Sequence, residues 1–243
     1  MDALIYTVTS AADRALKSMQ IRANNIANAN TDGFLTSSDV ATSQKVPGYG
    51  YDARVQSVNV ASALDLSLGA VEKTGNPLDV MVKDGGFLAI AADAGGEAYI
   101  RAGRITIDRR GQLQVNSRPL LGEQGPIVLP EGYTQVVVAQ DGTLSVQMPG
   151  DTALQGVDKL KLVKPEPQAL VKNEQGLLVA RQGGRLPVAD DLEVQSGYVM
   201  HSNTSAVDEM VATTMLNNHF GALMKIYNTA DAVSEAGRRL ITE

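Results

Sequence analysis

The sequence has no cysteine and no tryptophan, and only 4% of its 243 residues are aromatic. Without cysteine there are no disulfides, no thiolate metal sites and no cysteine nucleophile. No run approaches the roughly 18 to 20 consecutive apolar residues that span a bilayer. Residues 1–5 show neither the basic nor the apolar region of a cleaved signal peptide. The sequence therefore predicts no membrane insertion and no signal peptide that is removed.

The charge balance argues against a nucleic-acid partner. There are 21 basic and 27 acidic residues, which gives a formal net charge of -6, and no basic cluster is longer than a pair. Apolar residues make up 44% of the chain. A chain of this length and composition can bury a sizeable core as one large domain or two smaller ones.

Residues 204–243 have the pattern of one long helix. Ser205 is suited to cap its start, Asp208 and Glu209 fall in the first turn, and Arg238 and Arg239 fall in the last. At ~1.5 Å per residue such a helix would be about 60 Å long, more than a compact domain of this size covers. An ordinary core helix is the alternative interpretation.

This C-terminal helix carries two apolar stripes at alternating spacings of three and four residues. The first consists of Val211, Met215, Ala222, Ile226, Thr229, Val233, Ala236 and Leu240, and the second of Leu216, Phe220, Leu223, Tyr227 and Ala230. Two stripes indicate more than one packing partner.

Residues 5–26 have the pattern of a second, coiled-coil-like helix about 33 Å long, which could lie beside the first. Its apolar positions recur at heptad spacing and are Ile5, Val8, Ala12, Ala15, Met19 and Ile26, while Arg22 occupies a position where the heptad expects an apolar residue. Small alanine side chains on this face would let a neighbouring helix approach closely.

An asparagine-rich segment, ANNIANANTDGF, ends this helix at residues 23–34. Gly33 is suited to the left-handed conformation that stops a helix, and Phe34 follows it. Asn24 and Asn28 are four residues apart on one face, where their amides could bond the backbone of a neighbouring chain. A frayed helix end is the alternative, because asparagine favours caps and turns.

The segment ANNIANANTDGF resembles the N-terminal signature of the bacterial flagellar axial proteins, the family of rod, hook and hook-associated subunits. The C-terminal segment SNTSAVDEMV and the later TADA are similar to the family's C-terminal segment. PLDVMVKDGGFLAI and AYIRAGRITIDRRGQL resemble the family's shared middle domain. The resemblance covers nearly the whole chain outside residues 35–75.

Short runs of strand-forming residues separated by turns fill residues 76–199. Residues 78–82 and 87–91 flank one turn, residues 99–107 are expected to pair with 112–115, and residues 136–138 and 144–146 flank another turn. Residues 35–75 are predicted to form an extended connector with one hairpin and a turn at Pro47-Gly48-Tyr49-Gly50. The predicted fold class is α+β: terminal helices (1–34 and 200–243) paired as a coiled-coil-like domain, with an inserted antiparallel all-β middle domain (76–199).

No constellation of residues predicts catalysis, a metal site or a cofactor. The two histidines, His201 and His219, lack the spacing of a helical metal pair and are best interpreted as cap or packing residues. His201, Ser205 and Asp208 resemble a triad only in residue type, since no nucleophile-elbow pattern accompanies them. We expect no enzyme activity, no cofactor and no small-molecule substrate.

The sequence features favour an assembly subunit. The two terminal helices, which are expected to pack together, are separated by a long stretch of chain whose closure costs entropy. A head-to-tail contact between such subunits gives a helical tube. The resemblance implies a subunit of the flagellar basal-body rod, proximal rather than distal from its opening and length. It implies other rod proteins and the flagellar type III export apparatus as partners, and a location in the basal body after export without cleavage.

Three alternatives remain at this point: the distal rod or another rod or hook subunit, a secreted peptidoglycan hydrolase, and a carbohydrate-binding module. A hydrolase would need an acid and base carboxylate pair or a metal site, for which the sequence has no motif, and the lack of tryptophan argues against the binding module. The residues predicted to mediate assembly are Ile5, Val8, Met19, Asn24, Asn25, Ile26, Asn28, Gly33, Phe34, Met210, Val211, Leu216, Phe220, Leu223, Ile226 and Tyr227.

Overall fold

The computed structural model describes residues 2–45, 55–92, 95–150, 153–166, 168–173 and 175–242, with the side chains of all but 2–3, 55–62 and 240–242. These residues form two compact units. The helical unit comprises Met1–Ala27, Ser37–Ala63 and Ser205–Glu243, and the β unit comprises Asn28–Thr36 and Leu64–Thr204. The turn predicted at residues 47–50 lies outside the described residues.

Two long helices lie near the chain termini, as the sequence predicts. Helix α1 spans Asp2–Ala27 and helix α2 spans Ala206–Thr242. The Ser205 hydroxyl accepts a hydrogen bond from the Asp208 N–H at 3.3 Å, the N-cap that the sequence predicts. In the described part of the chain, neither helix combines the length and hydropathy needed to cross a bilayer.

The strands are short, and most of them lie in the β unit. They are β1 Ser37–Lys45, β2 Val55–Leu64, β3 Val71–Lys73, β4 Asp79–Val82, β5 Phe87–Ala91, β6 Glu97–Ile100, β7 Ala102–Ile107, β8 Leu113–Val115, β9 Arg118–Pro119, β10 Gln135–Val138, β11 Thr143–Gln147, β12 Leu154–Lys159, β13 Leu162–Val163, β14 Leu170–Lys172, β15 Leu178–Ala180, β16 Val194–Ser196 and β17 Tyr198–Met200.

Two five-stranded sheets organise the β unit, with strand orders β13-β5-β6-β15-β14 and β16-β4-β7-β8-β9. A three-stranded sheet, β10-β11-β12, and the pair β17-β3 complete it. The strand pairs within these four sheets are antiparallel. With its terminal helices and antiparallel middle region, the protein is α+β.

The predicted strand over residues 99–107 is in fact two strands. The chain breaks at Arg101, and β6 joins one five-stranded sheet while β7 joins the other. Strands β4 and β5 flank the predicted turn but also lie in different sheets. The expected pairing of β7 with β8 and the hairpin of β10 and β11 are both confirmed.

Strands β4 and β5 are buried on both faces, which explains their nearly continuous apolar sequence. Alternate side chains enter two different hydrophobic clusters because the side-chain period of a strand is two. Val80 and Leu88 belong to the larger cluster, whereas Met81 and Phe87 belong to the smaller one. The two clusters together form the core of the β unit.

The helical unit has a much smaller buried cluster. Val8 and Ala12 of α1 pack with Leu223 of α2, and half-buried Phe220 and Tyr227 lie against them. Strands β1 and β2 form a two-stranded sheet in the same unit. Asp39 of β1 accepts a hydrogen bond from the Ser18 hydroxyl of α1 at 2.7 Å, which joins this sheet to the helix.

Candidate assembly site

In the β unit, residues at the end of the N-terminal segment ANNIANANTDGF and just after it bond directly to residues at the start of the C-terminal segment SNTSAVDEMV and just before it. The Gly33 N–H donates to the Met200 carbonyl at 2.7 Å, and the Asn203 N–H donates to the Phe34 carbonyl at 3.4 Å. The Asn203 side-chain oxygen accepts from the Thr36 N–H at 2.7 Å and from its hydroxyl at 2.8 Å. Residues 167 positions apart are thereby joined through backbone and side chain.

The amide nitrogen of Asn203 reaches a third segment of the same unit. It donates to the carbonyl of Asp65 at 3.0 Å and to that of Ser67 at 3.2 Å. The hydroxyls of Thr36 and Thr204 lie 2.6 Å apart in a further hydrogen bond. Asn203 therefore uses both ends of its amide to hold three chain segments together, an arrangement that neither an aliphatic nor a carboxylate side chain reproduces.

Gly33 is required by both conformation and space. Its φ is +73°, in the left-handed region that favours glycine. A Cβ at this position would lie 2.3 Å from the carbonyl oxygen of Ala102, at the start of β7. The left-handed stop predicted from the sequence is thus present, and the close approach to β7 is an additional reason for glycine.

His201 bridges two carboxylates. Its Nδ1 lies 2.8 Å from Asp32 and its Nε2 lies 2.9 Å from Glu72, and Arg104 also donates to Asp32 at 2.9 Å. The hydrogen bond with Glu72 raises the pKa of His201 most strongly, and Asp32 adds to the rise while partial burial opposes it. A neutral imidazole has only one N–H. Both ring nitrogens can therefore donate to ionised carboxylates only when the ring is protonated.

The buried ring of Phe34 lies against the ammonium group of Lys172. The Lys172 Nζ lies 3.6 Å from the centre of the Phe34 ring and donates to the Leu35 carbonyl at 2.6 Å. Burial lowers the pKa of Lys172 to about 8, whereas the aromatic face and the carbonyl both favour its charged form. These contacts fix the aromatic residue that ends the N-terminal signature.

In the helical unit, the two signatures meet at Asn25 and Glu209. Asn25 is fully buried, and its amide nitrogen donates to the Ser37 carbonyl at 2.8 Å and to Glu209 Oε1 at 3.1 Å. Its side-chain oxygen accepts from the Ser37 N–H at 3.1 Å. Arg22 donates to Glu209 Oε2 at 2.9 Å. This polar cluster joins α1, α2 and β1.

The two stripes of α2 have different environments. In the second stripe, Leu223 and Ala230 are buried, and Leu216, Phe220 and Tyr227 are half-buried. In the first stripe, the most exposed large side chains are those of Val211, Met215, Ile226 and Val233, with exposed fractions of 45 to 66%. One stripe therefore packs within the helical unit, and the other presents an apolar surface.

The predicted assembly residues fall into three groups by exposure. Val8, Asn25, Gly33, Phe34 and Leu223 are buried; Ile5, Met19, Ile26, Asn28, Leu216, Phe220 and Tyr227 are half-buried; and Asn24, Met210, Val211 and Ile226 are exposed. The structure brings Val8 together with Leu223, Phe220 and Tyr227. Their role in contacts with other subunits stays a prediction.

The sequence did not identify the polar residues that link the N-terminal and C-terminal segments within each unit. They are Arg22, Thr36, His201, Asn203 and Glu209. Arg22 did carry a signal, because it interrupts an apolar heptad, and such a position favours a buried or half-buried ion pair. The triad-like residues have other partners: Ser205 caps α2, and His201 bonds two carboxylates. Among the described residues, no cluster of three or more histidine and carboxylate side chains is suited to hold a metal ion.

Family models match three parts of the chain. "Flagella basal body rod protein" matches residues 5–34, "Flagellar hook protein FlgE/F/G D1 domain" matches residues 81–146, and "Flagellar basal body rod FlgEFG protein C-terminal" matches residues 195–240. The first and third contain the two signature segments that bond to each other in the structure. The class of protein is therefore that of the axial subunits of the bacterial flagellum.

Curated relatives narrow this class. "Flagellar basal-body rod protein FlgF" of Escherichia coli K12 is 34% identical over 98% of this chain and 97% of the relative. The FlgF protein of Salmonella typhimurium is 31% identical over 100% of this chain and 99% of the relative. "Flagellar basal-body rod protein FlgG" of Buchnera aphidicola from Acyrthosiphon pisum is 26% identical over 88% and 90%. The chain belongs to the flagellar basal-body rod protein family.

The protein is thus a structural subunit of the rod, located in the flagellar basal body, and it assembles with other flagellar rod or hook proteins. The relatives are named as rod proteins, so the peptidoglycan hydrolase considered from the sequence is not favoured.

Proposed function

We propose that the protein is a proximal rod subunit that pairs its own terminal helices in a coiled-coil-like manner. The remaining apolar stripe of α2 then binds neighbouring axial subunits in a head-to-tail, helical array. The proposal keeps the three-part division into an assembly domain (1–34 and 200–243), a connector (35–75) and a β-rich middle domain (76–199).

The observation that carries this proposal is the contrast between the two stripes of α2. Leu223 is buried with Val8 and Ala12, whereas Met215 and Val211 on the other stripe are 66% and 51% exposed. Single exposed apolar residues are ordinary, but a stripe of them along one helix is typical of a protein interaction surface. In such a subunit, one stripe of α2 packs against α1 of the same chain, and the other stripe is available to bind a neighbouring subunit.

The proximal position is supported by relatives named FlgF, which align over nearly their whole length at 31 and 34% identity. FlgG relatives also align, at lower identity in the example from Buchnera aphidicola, so the distal rod is the alternative within the family. Transmission of torque across the periplasm and passage through the type III export apparatus belong to this proposal.

The test introduces one charge at three positions of α2 in cells that lack their own copy of the protein. Met215→Asp places the charge on the exposed stripe, Leu223→Asp places it in the buried cluster, and Asn217→Asp is the matched control at an exposed polar position. We expect Met215→Asp to retain helix content but to be absent from isolated basal bodies, and the cells to be non-motile.

Leu223→Asp is expected to lose both helix pairing and incorporation while the β unit stays folded, and Asn217→Asp is expected to behave as the unmodified protein. Circular dichroism and immunoblots of isolated basal bodies provide the readouts. Normal motility with Leu223→Asp or with Met215→Asp would refute the proposal.

A further inference from the structure

Glu209 forms a buried polar contact between the two packed helices. Its carboxylate accepts from the buried Asn25 amide at 3.1 Å and from Arg22 at 2.9 Å, and the residue itself is only 7% exposed. Both donors lie near the C-terminal end of α1, and Glu209 lies in the first turn of α2. Val8 packs with Leu223 farther along α2, so the two helices run antiparallel.

The apolar contacts between these helices do not by themselves define one register. The buried stripe of α2 has an apolar residue seven positions on either side of Leu223, namely Leu216 and Ala230. A slip by one heptad therefore exchanges one apolar residue for another against Ala12.

The polar contact does not survive such a slip. In one direction Leu216 replaces Glu209 beside Asn25, and a buried amide N–H loses its acceptor. In the other direction the position of Glu209 is taken by Ser202, which precedes the first residue of α2.

We propose that Glu209 selects the register of α1 against α2, and so determines which side chains of the exposed stripe face a neighbouring subunit. A single buried polar contact between helices is known to specify register at some cost in stability. The inference rests on the helix pairing in the proposed function.

Glu209 is a better residue to test than Asn25. Asn25 also satisfies the N–H and the carbonyl of Ser37 in β1, so replacing it removes more than a helix contact. Arg22, in contrast, has a side chain that is 39% exposed and can turn to water when Glu209 is replaced. Glu209→Leu thus removes the acceptor cleanly, and Glu209→Gln keeps an oxygen that can accept from Asn25.

The absence of cysteine makes the register measurable by disulfide trapping in the full-length chain. Ala12→Cys is combined with Leu223→Cys for the observed register, and with Leu216→Cys or Ala230→Cys for the two slipped registers. The dilute monomer is equilibrated in a glutathione buffer, and intrachain cross-links are quantified by mass spectrometry. We expect the 12–223 pair to exceed either slipped pair by about tenfold or more, the ratio that an unpaired buried amide implies.

With Glu209→Leu we expect this preference to fall to about twofold or less, because the acceptor that distinguished the registers is gone. The midpoint of thermal loss of helix, followed by circular dichroism, should fall, because the buried Asn25 amide N–H then lacks this acceptor in every register. Glu209→Gln should retain the preference.

Other outcomes overturn the inference in distinguishable ways. A retained 12–223 preference with Glu209→Leu would show that the apolar contacts set the register. Loss of the preference with both variants, accompanied by a lower melting midpoint, would show a merely structural role. If no pair cross-links in the parent protein, the helix pairing in the proposed function fails together with this inference.

Discussion

The side-chain oxygen of Asn203 lies 2.7 Å from the backbone nitrogen of Thr36, and this contact spans 167 residues of sequence. The same oxygen accepts from the Thr36 hydroxyl, and the amide nitrogen reaches the carbonyls of Asp65 and Ser67. The segment that follows the N-terminal signature is therefore held by an asparagine of the C-terminal one. Thr36 and Asn203 both belong to the β unit, so this hydrogen bond joins the N-terminal and C-terminal segments of that unit.

Asn203→Ala is expected to lower the free energy of unfolding of the β unit by about 1 to 3 kcal/mol, because the Thr36 N–H loses its acceptor. Asn203→Asp should be at least as damaging, since it keeps the acceptor for Thr36 but turns a carboxylate oxygen towards two carbonyls. Denaturant titration followed by circular dichroism measures both. Asn217→Ala, at an exposed position on α2, is the control, and equal effects from Asn203→Ala and Asn217→Ala would contradict the prediction.

Gly33→Ala is expected to destabilise the β unit by more than Gly75→Ala. Both glycines have a φ of +73°, but a Cβ at Gly75 has nothing within 4 Å, whereas at Gly33 it meets the Ala102 carbonyl at 2.3 Å. Gly75→Ala should therefore show only the conformational strain, about 1 to 3 kcal/mol, and Gly33→Ala should show a clash in addition. Similar melting midpoints for the two variants would argue that the backbone of β7 moves aside at no cost.

The bridge formed by His201 predicts a pH dependence with a defined sign. Its pKa is raised in the folded protein above the ordinary histidine value of about 6.5, mainly by the hydrogen bond with Glu72. A raised pKa means that the folded state binds the proton more tightly, so the stabilisation is fully present below the ordinary value. It is lost as the pH rises through the raised pKa. Because the side chain is 37% exposed, solvent screening keeps the effect small.

Nuclear magnetic resonance titration of the histidine rings measures this directly. Glu72→Gln should lower the pKa of His201, and His201→Gln should remove the pH dependence of stability in this range. His219, the other histidine in the chain, provides the control, because His219→Gln should leave that dependence in place. A pKa of His201 that is unchanged by Glu72→Gln would show that the bridge is absent in solution.

Amide hydrogen exchange of the soluble protein should separate the two units. Fast exchange in α1 and α2 with strong protection in β4 to β7 is expected, because among the described side chains the buried cluster of the helices contains three and the larger β cluster contains nineteen. Most of the stability of a helix in a protein comes from the packing of its apolar face. Uniform protection would show that the helices already have their full set of partners before assembly.

Replacing Glu97 tests the buried ion pair of the β unit. Lys161 donates to both carboxylate oxygens at 2.8 Å, and Tyr99 donates to one of them at 3.1 Å. Glu97→Gln should lower the free energy of unfolding by about 3 to 5 kcal/mol, because the Lys161 charge is then buried without a counter-charge. Glu97→Gln combined with Lys161→Met should recover part of the loss. No recovery in the double variant would contradict this account.

The helices and several hairpins were predictable because their signals are local. Capping residues and heptad spacing identified α1 and α2, and a turn sequence between apolar runs identified the pairing of β10 with β11. The apolar run through residues 99–107 was also found, but not its break at Arg101. Arg101 is buried, and its guanidinium reaches the Leu66 carbonyl, a partner 35 residues away that no local pattern indicates.

The candidate site was predictable only in part, for the same reason. The signature residues Gly33, Phe34 and Asn25 were identified, but the residues that hold them, Asn203 and Glu209, were not assigned to the site. Hydrogen bonds between residues far apart in sequence leave no periodicity and no turn signal. A polar residue interrupting a heptad, as Arg22 does, was the one local sign that such a partner existed.

The sequence by itself determined that this is an α+β chain with long amphipathic ends and family signatures at both of them, because spacing and capping are properties of neighbouring residues. Only the tertiary structure decided which stripe of α2 is buried, since both stripes have the same helical period and differ only in what lies against them. The same holds for the partners of Asn25, His201 and Asn203. Long-range packing brings those groups together, and the sequence between them does not encode it locally.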